Sequence, residues 1–396
     1  MKRSECRILT SHTGALHRPK DLAELAVKKY KGELENEALY DEALTRSVAD
    51  VVRKQAQLGI DVVNDGEFAK STWFSYIAER MAGVEFRPGS ITSIVLTKSA
   101  DRAQFAEFYE EARELLFYSE PGPELEFFLA TGAKTPTVTG PLAYTGQADI
   151  ERDVRNLKAA LDGVDVEEAF LPVVAPGSIQ PALIDEFYGS EEELFKGLAD
   201  ALHEEYKAII DAGLICQIDD AFLPNEWDRR GVEPDWTVEK FRAWAELSVE
   251  ALNEAIGDLP EDRIRYHVCW GSWNGPHVTD IPLSEIVDLI LKVKAQTYVI
   301  EAANARHEWE HHVWESVKLP DGKILQPGVI EHVTSVVEHP RTVADRIIKY
   351  ARLVGRENVI AGTDCGLRMR CHPQVAWAKL QALGEGAEIA TKELWK

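Results

Sequence analysis

The sequence predicts an α/β protein built as a single (βα)8 TIM barrel, with one surplus extended segment and a helical insertion. Three observations predict it. Helix-period polar segments alternate with short β-branched runs along the whole chain. The extended runs number one more than a barrel needs. Chemically reactive residues stand just after the runs, where a barrel of this kind assembles its site. No Gly/Ser-rich or Pro-rich linker divides residues 1–396 and no short-period repeat is visible, so the chain reads as one domain.

The first strand is expected at residues 8–11. In the unit that follows, Leu44, Val48, Val51 and Val52 share one helical face and Gly59 supplies the stop. Residues 60–63 then run extended into Asn64-Asp65-Gly66-Glu67. The same grammar recurs where 208–212 ends at Gly213 before 214–218 and Asp219, and where 343–354 ends at Gly355 before 359–361 and Thr363-Asp364-Cys365. Further strands are expected at 135–139, 170–174, 264–269, 298–300 and 324–329, with 135–139 assigned as the surplus segment. The acidic, helix-forming stretch 99–128 reads as the insertion, a cover over the barrel.

Composition narrows the partners. With 44 Lys and Arg against 67 Asp and Glu, the formal charge is −23, which repels phosphate backbones and anionic membranes alike. Hydrophobic residues make up 45% of the chain, yet no apolar stretch is long enough to cross a bilayer. The basic residues at the N-terminus lack the apolar segment of a signal peptide, so a cytoplasmic protein is expected. Five widely spaced cysteines, Cys6, Cys216, Cys269, Cys365 and Cys371, argue against a disulfide framework and leave catalysis, metal binding or burial. Composition is compatible with a homo-oligomer and does not require one.

The chemistry gathers around Tyr266-His267-Val268-Cys269-Trp270. Residues i and i+2 of a strand face the same side, so the His267 imidazole and the Cys269 thiol can share one ligand. Glu301 closes the run 298–300, and Cys365 follows 359–364. In a barrel these side chains converge at one mouth, and two thiolates, an imidazole and a carboxylate suit tetrahedral Zn²⁺. Taken singly, each has a plainer reading: a buried small side chain for a cysteine, a structural ion pair for the glutamate.

Seven motifs, in this order and spacing, carry a resemblance: Ser11-His12-Thr13-Gly14-Ala15-Leu16, Asp65-Gly66-Glu67, Gln217-Ile218-Asp219-Asp220, His267-Val268-Cys269, Glu301-Ala302-Ala303-Asn304, Pro327-Gly328-Val329-Ile330-Glu331-His332 and Thr363-Asp364-Cys365-Gly366. Over nearly its whole length the chain resembles the C-terminal barrel of cobalamin-independent methionine synthase, and more closely that enzyme's shorter single-barrel relatives. The resemblance implies a zinc held by His267, Cys269, Glu301 and Cys365, with the acceptor thiol joining as a ligand and Glu301 leaving. It implies that Glu67 and Asp219 hold the ammonium group of homocysteine, and that Thr13 and Ala15 bind the amino acid largely through backbone. Ala15 stands where the family usually has serine. The resemblance also makes His332 the general acid that protonates the leaving group. The plainer readings are helix N-caps for Glu67 and Asp219, and a surface histidine for His332 like its neighbours His311, His312 and His339.

The expected activity is zinc-dependent transfer of a methyl or other alkyl group to a small-molecule thiol, homocysteine giving methionine, through a zinc-bound thiolate. The alternative is thiol alkylation by epoxide opening, as in epoxyalkane:coenzyme M transferase. A zinc hydrolase is disfavoured because thiolate ligands lower the Lewis acidity that activates water; a purely structural zinc is the non-enzymatic reading. The donor departs from the family: Val174-Ala175-Pro176-Gly177-Ser178-Ile179 lacks the tryptophan that faces a pterin there, and Asn225 replaces an expected acid, so methyl-folate is not secured. Trp227, Trp270, Trp273, Trp309 and Trp314 are candidates to line an apolar donor pocket, packing being the plainer reading. Arg368 and Arg370 are candidates for an anionic substrate group.

Overall fold

Capped helices deliver the chain, through glycine stops, into short buried strands. The helix Glu37–Gln57 starts where the Asn36 side chain accepts from the Ala38 N–H, and buries Leu44, Val48, Val51 and Val52. The helix Glu191–Asp211 starts on Ser190, which accepts from the Glu193 N–H, and opens with three glutamates at its positive end. Gly59 (φ 77°) and Gly213 (φ 83°) take the left-handed conformation that lets each chain leave its helix and turn into a strand.

The computed structural model describes residues 1–90, 98–112, 122–271 and 273–396. Its strands in chain order are β1 (Leu9–Thr10), β2 (Val62–Val63), β3 (Met81–Pro88), β4 (Lys134–Tyr144), β5 (Glu168–Val174), β6 (Ile184–Asp185), β7 (Ile215–Asp219), β8 (Ile264–Val268), β9 (Thr297–Ile300), β10 (Ile324–Ile330) and β11 (Ile360–Thr363). Eight of them form one parallel sheet in the order β1-β11-β10-β9-β8-β7-β5-β2. A parallel bridge between Ser11 and Val62 joins its two ends, making the (βα)8 barrel. These eight are the barrel strands expected from sequence.

The expected surplus segment, 135–139, lies in β4, which pairs antiparallel with β3 and parallel with β6 in a separate three-stranded sheet. Sequence reading missed β3 and β6. Most of β3 is exposed or half-exposed, so it carries no buried alternation to detect, and β6 is two residues long. Within the expected helical stretch 99–128, Ala100–Gln104 and Ala106–Glu111 are helical, as is Pro123–Thr131 at its end; its residues 113–121 lie outside the described ones.

Inside the barrel the side chains change character with height. At the N-terminal end of the strands Leu9, Ile324 and Ile360 form one apolar cluster and Val62, Phe170 and Ile215 another. One alternation higher come the polar Ser11, Gln217 and Gln326, each accepting a hydrogen bond from Arg265. One alternation higher again, at the C-terminal mouth, stand Asp219, His267 and Glu301. Among the described residues, no helix is long and apolar enough to cross a membrane.

Candidate active site

β8 and the residue after it present His267 and Cys269, and the turn after β11 presents Cys365. Candidate ligand atoms of these three lie within 4.8 Å of one another. The Cys269 and Cys365 sulfurs are 3.7 Å apart. Two sulfurs each about 2.3 Å from a tetrahedral centre stand roughly 3.8 Å apart, so the spacing fits a shared zinc. Without a metal, Cys365 lies well below the ordinary thiol pKa because the Cys269 thiol hydrogen-bonds to it, with His267 beside it; the shared proton pushes Cys269 up.

Glu301, the fourth expected ligand, falls in the adjoining cluster with His332 and Asp364, whose candidate atoms also lie within 4.8 Å of one another. Its Oε2 accepts from the Trp270 backbone N–H at 2.8 Å and its Oε1 from the Asn304 side-chain amide. The carboxylate is thus held one residue beyond Cys269, by groups that sequence spacing did not reveal. Burial raises Glu301 to about 7.

His267 is oriented by its neighbour in register. Asp219 and His267 are paired across β7 and β8, and Asp219 Oδ1 lies 2.9 Å from His267 Nδ1. Burial opposes charge on the imidazole, yet the bonds to Asp219 and Cys365 outweigh it and raise His267 to about 10. With Nδ1 facing a carboxylate, Nε2 is the atom turned toward the β11 turn, 3.3 Å from the Asp364 carbonyl and beside Cys365, and is the one that could reach a shared ligand. Asp219 therefore does something its motif did not announce: it steers a metal-ligand candidate.

One cavity contains the cluster and every acceptor-side residue expected from sequence, Thr13, Ala15, Glu67 and Asp219; Arg368 and Arg370 also line it, and Arg368 Nη1 donates to the Glu67 carbonyl at 3.3 Å. Neither carboxylate is a helix cap. No helix starts at Glu67, and the helix after Asp219, Phe222–Arg230, has no side-chain cap. Glu67 sits in the left-handed region (φ 58°) on a turn where its N–H donates to Asp65 Oδ1. Among the described residues its buried Oε2 has no partner, and burial raises its pKa to about 7. The carbonyls of Thr13 and Ala15 are already taken, by Gln217 Nε2 and by the N–H groups of Leu367 and Arg368. His332 is buried rather than on the surface; its ring nitrogens have no partner among the described residues, and desolvation lowers it to about 3, a neutral imidazole.

The aromatic lining departs from expectation. Of the five tryptophans singled out, only Trp273 lines the cavity. Trp270 is buried in a stack on His307, Trp227 packs against Phe241, Trp314 is buried and Trp309 is 53% exposed. The wall is built instead from Trp73, Phe74 and Phe222, with Phe127 and Phe128 from the insertion. The run Trp73-Phe74 was a visible signal, but nothing local tied it to the barrel mouth.

Gly14 makes the cavity possible. At φ 147° a Cβ would stand 2.3 Å from Glu67 Oε1 and 3.3 Å from Pro172 Cγ. Gly14→Ala is therefore expected to push the Glu67 carboxylate aside and raise the acceptor KM about tenfold or more, the loss of one charge-assisted bond. Metal content should stay normal. Steady-state kinetics with metal analysis checks this, and an unchanged KM would contradict the placement of Glu67.

Comparison with known proteins gives the following. The family model described as "Cobalamin-independent synthase, Catalytic domain" matches residues 9–100 and 185–389. The 2-hydroxypropyl-CoM lyase of Xanthobacter autotrophicus is 26% identical over 388 residues, 91% of this chain and 88% of that protein. The methionine synthase of Saccharolobus solfataricus is 26% identical over 391 residues, 97% of this chain and 95% of that one. Among solved structures, the B12-independent methionine synthase of Shewanella sp. W3-18-1 superposes with a TM-score of 0.74 at 23% identity, covering 98% and 99% of the two chains. That likeness supports the barrel.

Proposed function

The chain belongs to the family of cobalamin-independent synthase catalytic domains, and from that premise we propose that it transfers a methyl or other alkyl group to a thiol at a zinc site, with homocysteine as the acceptor. One observation carries the reading: the paired-sulfur cluster shares a cavity with a buried carboxylate oxygen, Glu67 Oε2, that has no partner among the described residues. A cation-seeking group beside a thiolate-forming site fits a thiol that also bears an ammonium.

His267, Cys269 and Cys365 would hold the zinc, with Glu301 reaching it from its station on Trp270 and Asn304. When bound, the ion supplies the positive charge that keeps an incoming thiol deprotonated at neutral pH. Glu67 takes the acceptor's ammonium, and Asp219, whose described hydrogen bonds all fall on Oδ1, offers Oδ2 beside it. Arg368 and Arg370 give the acceptor's acid group a positive wall. The aromatic side chains exclude water from the alkyl carbon. His332, a neutral imidazole in the free protein, would take up a proton as the donor binds and pass it to the departing group as the carbon–donor bond breaks.

The two arginines, and the similarity to the CoM lyase, favour one second reading, a thiol that bears a sulfonate and no ammonium. Competition between the two thiols separates them. Zinc-loaded protein given homocysteine and coenzyme M with a panel of alkyl donors, epoxides included, should alkylate homocysteine. Turnover of coenzyme M with homocysteine untouched would overturn the first reading. The donor meets Phe127 and Phe128, which lie outside the residues matched by the family model.

A further inference from the structure

Below the site, in the barrel interior, lies a buried cation that the proposed reaction does not use. Arg265 precedes His267 by two residues on the same inward face of β8, and its side chain is fully buried. All five of its N–H groups are placed. Nε donates to Gln217 Oε1 at 2.7 Å and Nη1 to Ser11 Oγ at 2.8 Å and Gln326 Oε1 at 3.2 Å. Nη2 donates to the His12 carbonyl at 2.8 Å and also to Gln217 Oε1. The guanidinium lies 3.8 Å from the centroid of the Phe170 ring. Among the described residues Arg265 forms no ion pair, although a buried charge ordinarily requires one.

The bonds have a direction. Because Gln217 Oε1 is turned toward Arg265, its Nε2 must point the other way, and it donates to Asp219 Oδ1 at 2.8 Å. The same oxygen meets His267 Nδ1 at 2.9 Å. The two steps match the strand register, Gln217 beside Arg265 and Asp219 beside His267. A carboxylate held by a side-chain amide on one side can orient the imidazole on the other.

We propose that Arg265 and Gln217 are positioning residues for the metal centre, setting the Asp219 carboxylate so that His267 offers Nε2 to the ion, and that Arg265 is also the buried counter-charge to the centre. The inference rests on the zinc reading above. Two thiolates and a carboxylate around a divalent cation leave one net negative charge in a desolvated barrel, and the Arg265 cation lies directly beneath it.

The test uses the full-length protein, with zinc affinity measured by chelator competition and the visible spectrum of the cobalt-substituted form. Gln217→Glu is the decisive variant. It keeps the size and can pair with Arg265, but it has no N–H for Asp219. Zinc affinity is expected to fall roughly ten- to a hundredfold, the usual effect of losing a partner behind a ligand, and the cobalt bands should shift, while circular dichroism stays that of the folded chain. A purely structural role would move melting temperature but neither readout. Ser11→Ala, which removes one bond from Arg265 and leaves the relay intact, should keep zinc affinity within about twofold, well short of that loss. Folded Gln217→Glu with unchanged affinity and bands overturns the proposal; if that variant does not fold, Arg265→Lys decides by the same readouts. A wild-type chain that takes up no zinc overturns the parent reading and this inference together, whereas normal wild-type loading with an indifferent variant overturns this inference alone.

Discussion

Cys365→Ser is expected to abolish metal binding and thiol alkylation together. The two sulfurs 3.7 Å apart are the geometric signature of the centre, and Cys365 is the one already held toward thiolate by its neighbours. A serine hydroxyl in that place stays protonated and is a poor zinc ligand. If a four-ligand zinc site contributes some 10–16 kcal/mol, one ligand accounts for about 3–4, or two to three orders of magnitude in affinity. The variant should fold, because Cys365 lies in the turn beyond β11 and, among the described residues, belongs to no apolar core cluster. Metal content after dialysis against a chelator, with turnover measured in parallel, checks the expectation. A Cys365→Ser protein that retained one tightly held zinc would remove the centre from the mechanism.

Glu67→Gln should separate acceptor binding from metal binding. Replacing the charged partner of an ammonium costs about 1.5–3 kcal/mol, or some ten- to a hundredfold in kcat/KM, expressed mainly in the acceptor KM. Zinc content should be unaffected. Asp219 offers no such clean test, because it also steers His267.

The pH dependence follows from burial. In the free protein the Glu67 carboxyl is raised from 4.5 to about 7, so lowering the pH from 8 to 5 protonates it and should raise the acceptor KM of the wild type, a trend that Glu67→Gln flattens. For stability the sign is opposite. A carboxyl whose folded pKa exceeds its unfolded value binds more protons in the native state, so its contribution is present below about 4.5 and is lost as the pH rises through 7. Asp65, raised to about 6, and Glu301, raised to about 7, act in the same direction, and burial is the leading cause for all three. Buried His12, His17 and His332, lowered to about 4, 4 and 3, act in the opposite direction, so the checkable quantity is a difference: in thermal melts of the metal-free protein between pH 4 and 8, Glu67→Gln should gain stability relative to the wild type as the pH rises through 7. A variant with the same slope as the wild type would contradict a buried ionising Glu67. That the free chain keeps such groups under strain is in line with a site shaped for a ligand.

Much of the architecture was legible in the sequence because it is written in short range. The alternation of helical and extended periods marked all eight barrel strands, and Gly59, Gly213 and Gly355 marked where helices hand over to them. The i, i+2 spacing of His267 and Cys269 marked two side chains that gather with Cys365 in one cluster. Fold, cluster and the surplus segment in β4 follow from such local patterns.

What the tertiary structure alone decided are relations between residues far apart in the chain. Glu301 stands on Trp270 and Asn304, off the sulfur cluster, because the turn after β9 packs against the end of β8. Asp219 faces His267, and Gln217 faces Arg265, because β7 and β8 pair in one register rather than its neighbour, and no composition or periodicity encodes a register. Trp73 and the insertion's phenylalanines reach the cavity, while four of the five suspected tryptophans turn away from it. Side-chain type and spacing are properties of a segment, whereas which segment covers a barrel mouth is settled by the packing of the whole chain, where each buried group must find its partner at once.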